Sequence, residues 1–170
     1  MSEPFYTEAG ATFGDERRYR YSLWRIWNPD LPRVCFVMLN PSTADETVLD
    51  PTLRRCLAFA VSWGYGSFEI GNLFALRSTS PRALFVTGDP VGPDNDRALA
   101  TMAEDSALIV CAWGVNGRTL DRDVAARTLL SKIRPLHHLR LTKDGYPSHP
   151  LYLPSTLKPR PWSGTADKEH

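Results

Sequence analysis

Short apolar runs alternate with amphipathic stretches along the chain. Four runs are rich in apolar residues and short enough to be strands: 34–39, 68–74, 107–113 and 138–141. Three stretches between them have apolar residues at helical spacing: 50–63, 94–104 and 121–133. Continuous apolar runs of this length are typical of strands buried on both faces of a sheet. Their alternation with helices predicts a parallel sheet with right-handed crossovers.

An alternation of apolar and polar residues precedes the first apolar run. Tyr19, Tyr21 and Leu23 alternate with charged or small polar residues, which predicts a half-buried strand. We expect this strand at the edge of the sheet, antiparallel to the strand that follows. The predicted fold class is α/β, a three-layer sandwich with a central four-stranded parallel sheet plus an N-terminal edge strand. The predicted organisation is a flexible N-terminus (1–16), a single α/β domain (17–158) and a frayed tail (159–170).

Composition and charge restrict the classes of function. The chain has 170 residues and a net charge of +1, which fits one globular domain and does not signal a strongly basic nucleic-acid binder. It has no signal-peptide pattern and no apolar run near the roughly 20 residues that span a bilayer, so we expect a cytoplasmic protein without a membrane partner. Cys35, Cys56 and Cys111 lack metal-ligand spacing, so we predict no metal, cofactor or disulfide. The oligomeric state stays open, with a monomer as the expectation.

Polar side chains follow the predicted strands at the points where the strands end. Asn40 comes directly after the first strand, and Pro41 disfavours a helical conformation for it. Asn72 lies near the end of the second strand, and His149 lies in the loop after the fourth. Ligands bind outside the carboxyl ends of parallel strands, so we expect these side chains to line one cleft.

Each of these residues also has a purely structural interpretation. Asn40-Pro41-Ser42 is typical of a strand exit followed by a cap. Asn72 fits a buried amide whose hydrogen bonds are satisfied within the protein. A single histidine in a loop, such as His149, is usually a surface residue.

Six short motifs resemble two known families. The motifs Leu-Asn-Pro-Ser-Thr-Ala at 39–44 and Asp-Pro-Val-Gly-Pro-Asp-Asn-Asp at 89–96 resemble a bacterial and phage domain family of unknown function, over about Arg20 to Leu153. Four motifs resemble, in order, the strand-end motifs of the uracil-DNA glycosylase superfamily: Met38-Leu39-Asn40-Pro41, Gly71-Asn72-Leu73, Ala112-Trp113-Gly114 and His149-Pro150-Leu151. This second resemblance implies a uracil-DNA-glycosylase-like fold, with a site at the same strand ends.

The resemblance to glycosylases also implies a role for each candidate residue. Asn40 would position a water molecule and His149 would stabilise negative charge on the leaving base, so both are catalytic candidates. Asn72 would bind the edge of the base. The other substrate-binding candidates are Phe74 or Tyr65, which would stack on the base, and Ser42, whose hydroxyl follows the first strand. The basic candidates, which would bind phosphates, are Arg77, Arg82 and Lys143.

The implied function is that of a DNA-repair hydrolase that binds DNA and cleaves the N-glycosidic bond of a base. Two alternatives stay open: a non-catalytic module that binds a nucleobase, a nucleotide or modified DNA, and an enzyme of nucleotide metabolism. Position 40 is Asn rather than the water-activating Asp of the most active glycosylases, which favours the binding module over a fast enzyme. In every case the expected partner is DNA or a nucleotide. An exposed basic face would favour DNA as the partner, and the sequence offers four candidate residues for it: Arg17, Arg18, Arg20 and Arg25.

Overall fold

A computed structural model describes residues 6–41, 50–78 and 88–163. Within these ranges the chain is an α/β protein with one mixed sheet of seven strands and three α-helices. The strands are β1 (Glu8–Phe13), β2 (Arg20–Ile26), β3 (Arg33–Met38), β4 (Ser67–Asn72), β5 (Leu108–Cys111), β6 (Leu136–His138) and β7 (Arg160–Trp162). The α-helices are α1 (Pro51–Ser62), α2 (Asn95–Asp105) and α3 (Arg122–Ser131).

The order of strands across the sheet is β1-β2-β4-β3-β5-β6-β7. The four inner strands β4, β3, β5 and β6 are parallel to one another, as the apolar runs predicted. The outer strands add antiparallel pairs at both sides, so the prediction of a four-stranded parallel sheet with one added strand is wrong for the sheet as a whole. The outermost strands gave no apolar signal because β1 is largely solvent-exposed and β7 has three residues, one of them a proline.

Strand β2 lies inside the sheet and pairs with β4, not with the strand that follows it in sequence. The backbone N–H groups of Trp27 and Asn28 both donate to the carbonyl of Gly66, at 3.0 Å each. A Cβ atom at Gly66 would lie 1.9 Å from the Asn28 carbonyl oxygen, so this close approach requires glycine. The end of β2 is therefore fixed beside the start of β4, and the prediction that β2 is an edge strand beside β3 is wrong.

The helices cover both faces of the sheet. Side chains alternate along β3, so Val34 and Phe36 lie in one apolar cluster and Cys35 and Val37 in the other. The first cluster contains α1 residues: Leu53, Cys56, Leu57, Phe59 and Ala60. The second contains residues of α2 and α3: Leu99, Met102, Ala103, Ala126 and Leu130. Helix α1 thus packs on one face, and α2 and α3 pack on the other.

The start of α1 agrees with the sequence signals, whereas the start of α3 differs from them. Asp50 caps α1 by accepting a hydrogen bond from the Leu53 N–H at 2.8 Å, and Pro51 is the first helical residue, as predicted. Helix α3 begins one residue later than predicted, after a 3-10 segment, Val115–Asp121. The fourth inner strand ends at His138 instead of beginning there.

Residues 8–13 and 160–162 form the two outer strands of the sheet. They fall in the segments that the sequence analysis expected to be flexible or frayed. The first segment pairs with β2 and the second with β6, although neither has a strong apolar pattern. The flexible ends and the bounds of the domain stay a prediction.

Cys35, Cys56 and Cys111 are buried and unpaired, and burial raises the pKa of the Cys35 thiol to about 12. Within 6–41, 50–78 and 88–163, no helix has the length and apolarity that crossing a membrane requires. The same part of the chain has no group of three His, Cys, Asp or Glu side chains that could hold a metal ion.

Candidate functional site

A cleft of about 460 Å³ opens at the carboxyl edge of the parallel strands. We call it the carboxyl-edge cleft. Its walls come from the ends of β3 and β4, the first turn of α1, the segment 113–116 after β5 and His149. Asn40, Asn72 and His149 all line it, which is the arrangement that their positions at strand ends predicted. Their chemical roles stay predictions.

Asn40 connects two segments of backbone at the mouth of the cleft. Its Nδ2 atom donates hydrogen bonds to the carbonyls of Pro41, at 3.2 Å, and Ser78, at 3.1 Å. Both partners are acceptors, so they fix the orientation of the amide and leave Oδ1 as its acceptor. Asn40 therefore has a structural role, because it joins the end of β3 to the chain after β4. Its amide oxygen can accept a hydrogen bond from a ligand or a water molecule.

Asn72 is the last residue of β4, and its side chain is 3% exposed. It lies on the same face of the strand as Phe68 and Ile70, which belong to the α1-side cluster. Its side-chain amide makes no hydrogen bond with any other residue that the structure describes, although its backbone carbonyl does. A buried amide with unused donors and an acceptor beside a cleft is suited to binding a polar ligand.

His149 lines the cleft and is partly exposed to solvent. Its Nδ1 atom accepts a hydrogen bond from the Leu151 N–H at 3.2 Å, so the neutral ring carries its proton on Nε2. Burial of the ring lowers the pKa of His149 below its usual value, and the negative charge of Asp50 opposes this shift. The ring is therefore neutral at pH 7 and offers Nε2–H as a donor.

Asp50 is a site residue that sequence reasoning missed, because it was interpreted only as a helix cap. The carboxylate does cap α1, and it also lines the cleft. One of its oxygen atoms, Oδ1, accepts the Leu53 N–H. The negative charge of Asp50 already interacts with the positive end of the α1 dipole, so the start of this helix does not favour the binding of a second anion. No feature of the sequence around Asp50 distinguishes it from an ordinary N-cap.

Several predicted substrate-binding residues do not line the cleft. Phe74 is fully buried against α2 and α3, because the strand ends at Asn72 and the chain turns toward the other face. Tyr65 precedes β4, so it lies at the opposite edge of the sheet, and Trp27 donates to its carbonyl. Lys143 is exposed in a turn away from the cleft lining. A residue that is close to a strand end in the sequence therefore does not have to lie on the cleft face or at the carboxyl edge of the sheet.

The basic candidates are also dispersed. The guanidinium of Arg77 lies 5.6 Å from the ring centre of Phe13, beside β1 and outside the cleft lining. Arg20 and Arg25 are 5% and 2% exposed, so they form no part of an exposed basic face. Arg20 instead lines the cleft. Two further candidates, Ser42 and Arg82, lie outside the residues that the structure describes.

A model of one protein family, described as "Protein of unknown function (DUF1643)", matches residues 20–151. The chain belongs to the DUF1643 family. The predicted resemblance to a family of unknown function is thereby confirmed. The DUF1643 match spans β2 to β6 and contains every residue that lines the cleft, Asn40, Asp50, Asn72 and His149 among them, whereas β1 and β7 lie outside it. No curated protein and no solved structure matches the chain.

Proposed function

We propose that the carboxyl-edge cleft binds a nucleobase and that the protein is a DNA glycosylase-like hydrolase, cleaving the N-glycosidic bond of a base in DNA. The observation that carries this proposal is that Asn40, Asn72 and His149 line one cleft, although they are far apart in the sequence. The resemblance of their motifs to strand-end motifs of the uracil-DNA glycosylase superfamily supports the same conclusion.

The chemistry of the lining supports a neutral, planar, polar-edged ligand. The Asn72 amide supplies a donor and an acceptor side by side, which match the donor–acceptor pattern on the edge of a base. Met38, Leu39 and Ile70 add apolar surface for its faces. The volume is within the usual range of small-ligand sites. The Asp50 carboxylate at the start of α1 disfavours a phosphate there.

Hydrolysis would use the polar groups in the following way. A water molecule held by Asn40 Oδ1 attacks C1′ of the sugar, and a C–O bond forms as the C1′–N bond breaks. Asp50 accepts the proton that the water releases. The bonding electron pair leaves with the base, and His149 Nε2–H stabilises the resulting anion until solvent protonates it. A single donor of this kind contributes about 10²- to 10³-fold in kcat.

A base in duplex DNA has to leave its stack before it can enter the cleft, at a cost of a few kcal/mol. Mismatched, damaged or single-stranded bases have a smaller cost, so we expect them to be the better substrates.

A non-catalytic base-binding module is the second candidate. The observation that favours it is the geometry of Asn40, whose Nδ2 is already engaged by Pro41 and Ser78 and whose amide cannot accept a proton as a carboxylate can. In this case the same three side chains would bind the base, and Asp50 would serve only as a helix cap.

The deciding experiment incubates the protein with end-labelled single- and double-stranded oligonucleotides, each carrying one uracil, hypoxanthine, thymine mismatch or alkylated adenine. Alkali then converts abasic sites to strand breaks. Free 2′-deoxynucleosides form a parallel arm, analysed by chromatography for released base. The His149→Ala variant tests the cleft, and Lys132→Ala, at the end of α3, is an exposed control outside the cleft lining.

We expect breaks at one or more of these bases with the wild type and Lys132→Ala, and at least a 100-fold slower rate with His149→Ala. Tight binding without abasic sites would establish the binding module instead. Release of base from free nucleosides alone would assign the protein to nucleotide metabolism, and neither binding nor release in any arm would overturn the proposal.

A further inference from the structure

Two buried side chains hold the end of β4 from the face opposite the α1 side. Asn95, the first residue of α2, is fully buried, and its Nδ2 donates to the carbonyls of Asn72 at 2.9 Å and Leu73 at 3.1 Å. Arg122, the first residue of α3, donates from Nε to the same Leu73 carbonyl at 2.7 Å. Side chains from two different helices therefore converge on two consecutive carbonyls, and the first of these belongs to Asn72.

The sheet itself supports this point on one side only. Pairing between β2 and β4 ends at Ile70, whereas β3 continues alongside to Asn72. The Leu73 N–H still donates to the Met38 carbonyl at 2.9 Å. On the β2 side, no strand of the described part of the chain pairs with Asn72, and the side chains of Asn95 and Arg122 donate to the carbonyls of Asn72 and Leu73 instead.

Bringing Arg122 to this position is unfavourable in three ways. The guanidinium is 6% exposed, and it is compensated by one ion pair, with Asp96 at 2.7 Å. It is a cation at the start of a helix, where the macrodipole disfavours positive charge. Leu120 and Asp121, immediately before it, have consecutive left-handed backbone conformations, with φ of 55° and 53°. Such conformations in non-glycine residues persist where the surrounding structure enforces them, and they cluster at functional sites.

We propose that Asn95 and Arg122 are positioning residues, which fix the backbone at Asn72 and Leu73 and thereby aim the Asn72 amide into the carboxyl-edge cleft. The inference rests on the proposed function insofar as Asn72 binds the base. A rotation of the Asn72 peptide would move its side chain along the cleft wall, so the helices on the far face of the sheet set the geometry of base binding. Neither residue lines the cleft.

The test uses ¹⁵N-labelled full-length protein and the side-chain NH₂ signals of Asn72, assigned by their loss in Asn72→Ala. Arg122→Lys keeps a positive charge for Asp96 but loses the Nε donor. Asn95→Asp keeps the shape and replaces both donated N–H groups with an oxygen. The matched control is Arg97→Lys, the same exchange at an α2 arginine whose ion pair with Asp94 is exposed. Thermal unfolding establishes that each variant is folded.

We expect Arg122→Lys and Asn95→Asp to shift the Asn72 side-chain signals and to reduce their heteronuclear NOE, while Arg97→Lys leaves them unchanged. If Asn95→Asp does not fold, Arg122→Lys alone decides the result. Titration with free uracil and free adenine should show an affinity at least 10-fold weaker in Arg122→Lys. This loss should vanish when Asn72 is already alanine, because both changes then remove the same contact.

Unchanged Asn72 signals in the folded variants would overturn the inference. It would also be overturned if Arg122→Lys lowered base affinity equally in the Asn72→Ala background, since the arginine would then act independently of Asn72. If the signals move as expected but neither base binds the wild type, the positioning role stands and the proposed function fails.

Discussion

Two concave regions of similar size lie on different parts of the molecule. One is the carboxyl-edge cleft, of about 460 Å³. The other, which we call the β1–β2 groove, has about 520 Å³ and is lined mainly by residues of β1, β2, β4 and α2 and by the first residue of β3, with Trp24, Arg33 and Glu69 among them. Their sizes do not distinguish them, but the partners of their polar groups do.

In the β1–β2 groove four of the five charged lining residues form two ion pairs, and the fifth is Glu8. Arg33 Nη1 lies 2.7 Å from Glu69 Oε1, and Arg97 lies 2.9 Å from Asp94. Burial raises the pKa of Glu69, and the Arg33 guanidinium beside it opposes this shift. Groups paired in this way stabilise the protein and leave little unused hydrogen-bonding capacity for a ligand.

In the carboxyl-edge cleft the side chains of Asn40, Asn72 and His149 make no hydrogen bond to one another. Asn40 and His149 each use one side of their polar group on backbone, and the other side makes no hydrogen bond with a residue that the structure describes. Asn72 uses none of its side-chain amide on other described residues. The comparison teaches that the direction of unused donors and acceptors identifies a candidate site better than the size of a cavity does.

The largest effect should come from His149→Ala. Loss of the Nε2–H donor is expected to reduce base release or base affinity about 100-fold, because this donor acts where charge develops. The melting temperature should change little, since the one hydrogen bond of the His149 side chain to a described residue comes from the backbone N–H of nearby Leu151. Rates and calorimetry on the same sample check both statements.

Asn40→Ala is a second test of the carboxyl-edge cleft. It should reduce function similarly but also lower the free energy of unfolding by about 1 kcal/mol, because Asn40 Nδ2 joins the Pro41 and Ser78 carbonyls. If both variants lost stability in proportion to function, the cleft residues would be structural and the comparison would fail.

Arg33→Met should have an effect of intermediate size, and it should change stability and not the function of the cleft. It leaves the Glu69 carboxyl without its partner in a largely buried position, so we expect the free energy of unfolding to fall by about 1–3 kcal/mol. Cleft function should stay at the wild-type level. Urea denaturation measures the change, with Arg97→Met as the control, because breaking its exposed ion pair should cost about 0–1 kcal/mol. Impaired cleft function in folded Arg33→Met would show that the groove is not merely structural.

The smallest effect is a pKa difference at His149. An NMR titration of the ring proton should give a pKa below the ordinary 6.5, because burial disfavours the charged ring. Asp50→Asn should lower this pKa further, since the Asp50 carboxylate favours the protonated form. With the folded pKa below the unfolded one, His149 protonation destabilises the fold as the pH falls through 6.5, and the effect is complete below the folded pKa. A pKa above 6.5, or a rise in Asp50→Asn, would contradict the proposed environment.

Local patterns determined the inner part of the fold. Runs such as Val34 to Met38 are apolar on both faces, and a strand with that pattern is stable only inside a covered sheet. The start of α1 was equally predictable, because the Asp50 cap is a contact between residues three positions apart. The shared cleft of Asn40, Asn72 and His149 followed from a general property of parallel sheets, not from any local contact.

Tertiary structure alone decided the remainder, because it depends on pairings between distant residues. The place of β2 beside β4 depends on the close approach of Asn28 to Gly66, and the sequence around either residue does not indicate it. Asp50 becomes a cleft residue, and Arg122 a support for Leu73, only when separate elements pack together. Sequence specifies which residues are apolar, polar or capping, whereas the face and edge to which each is directed are set by non-local packing.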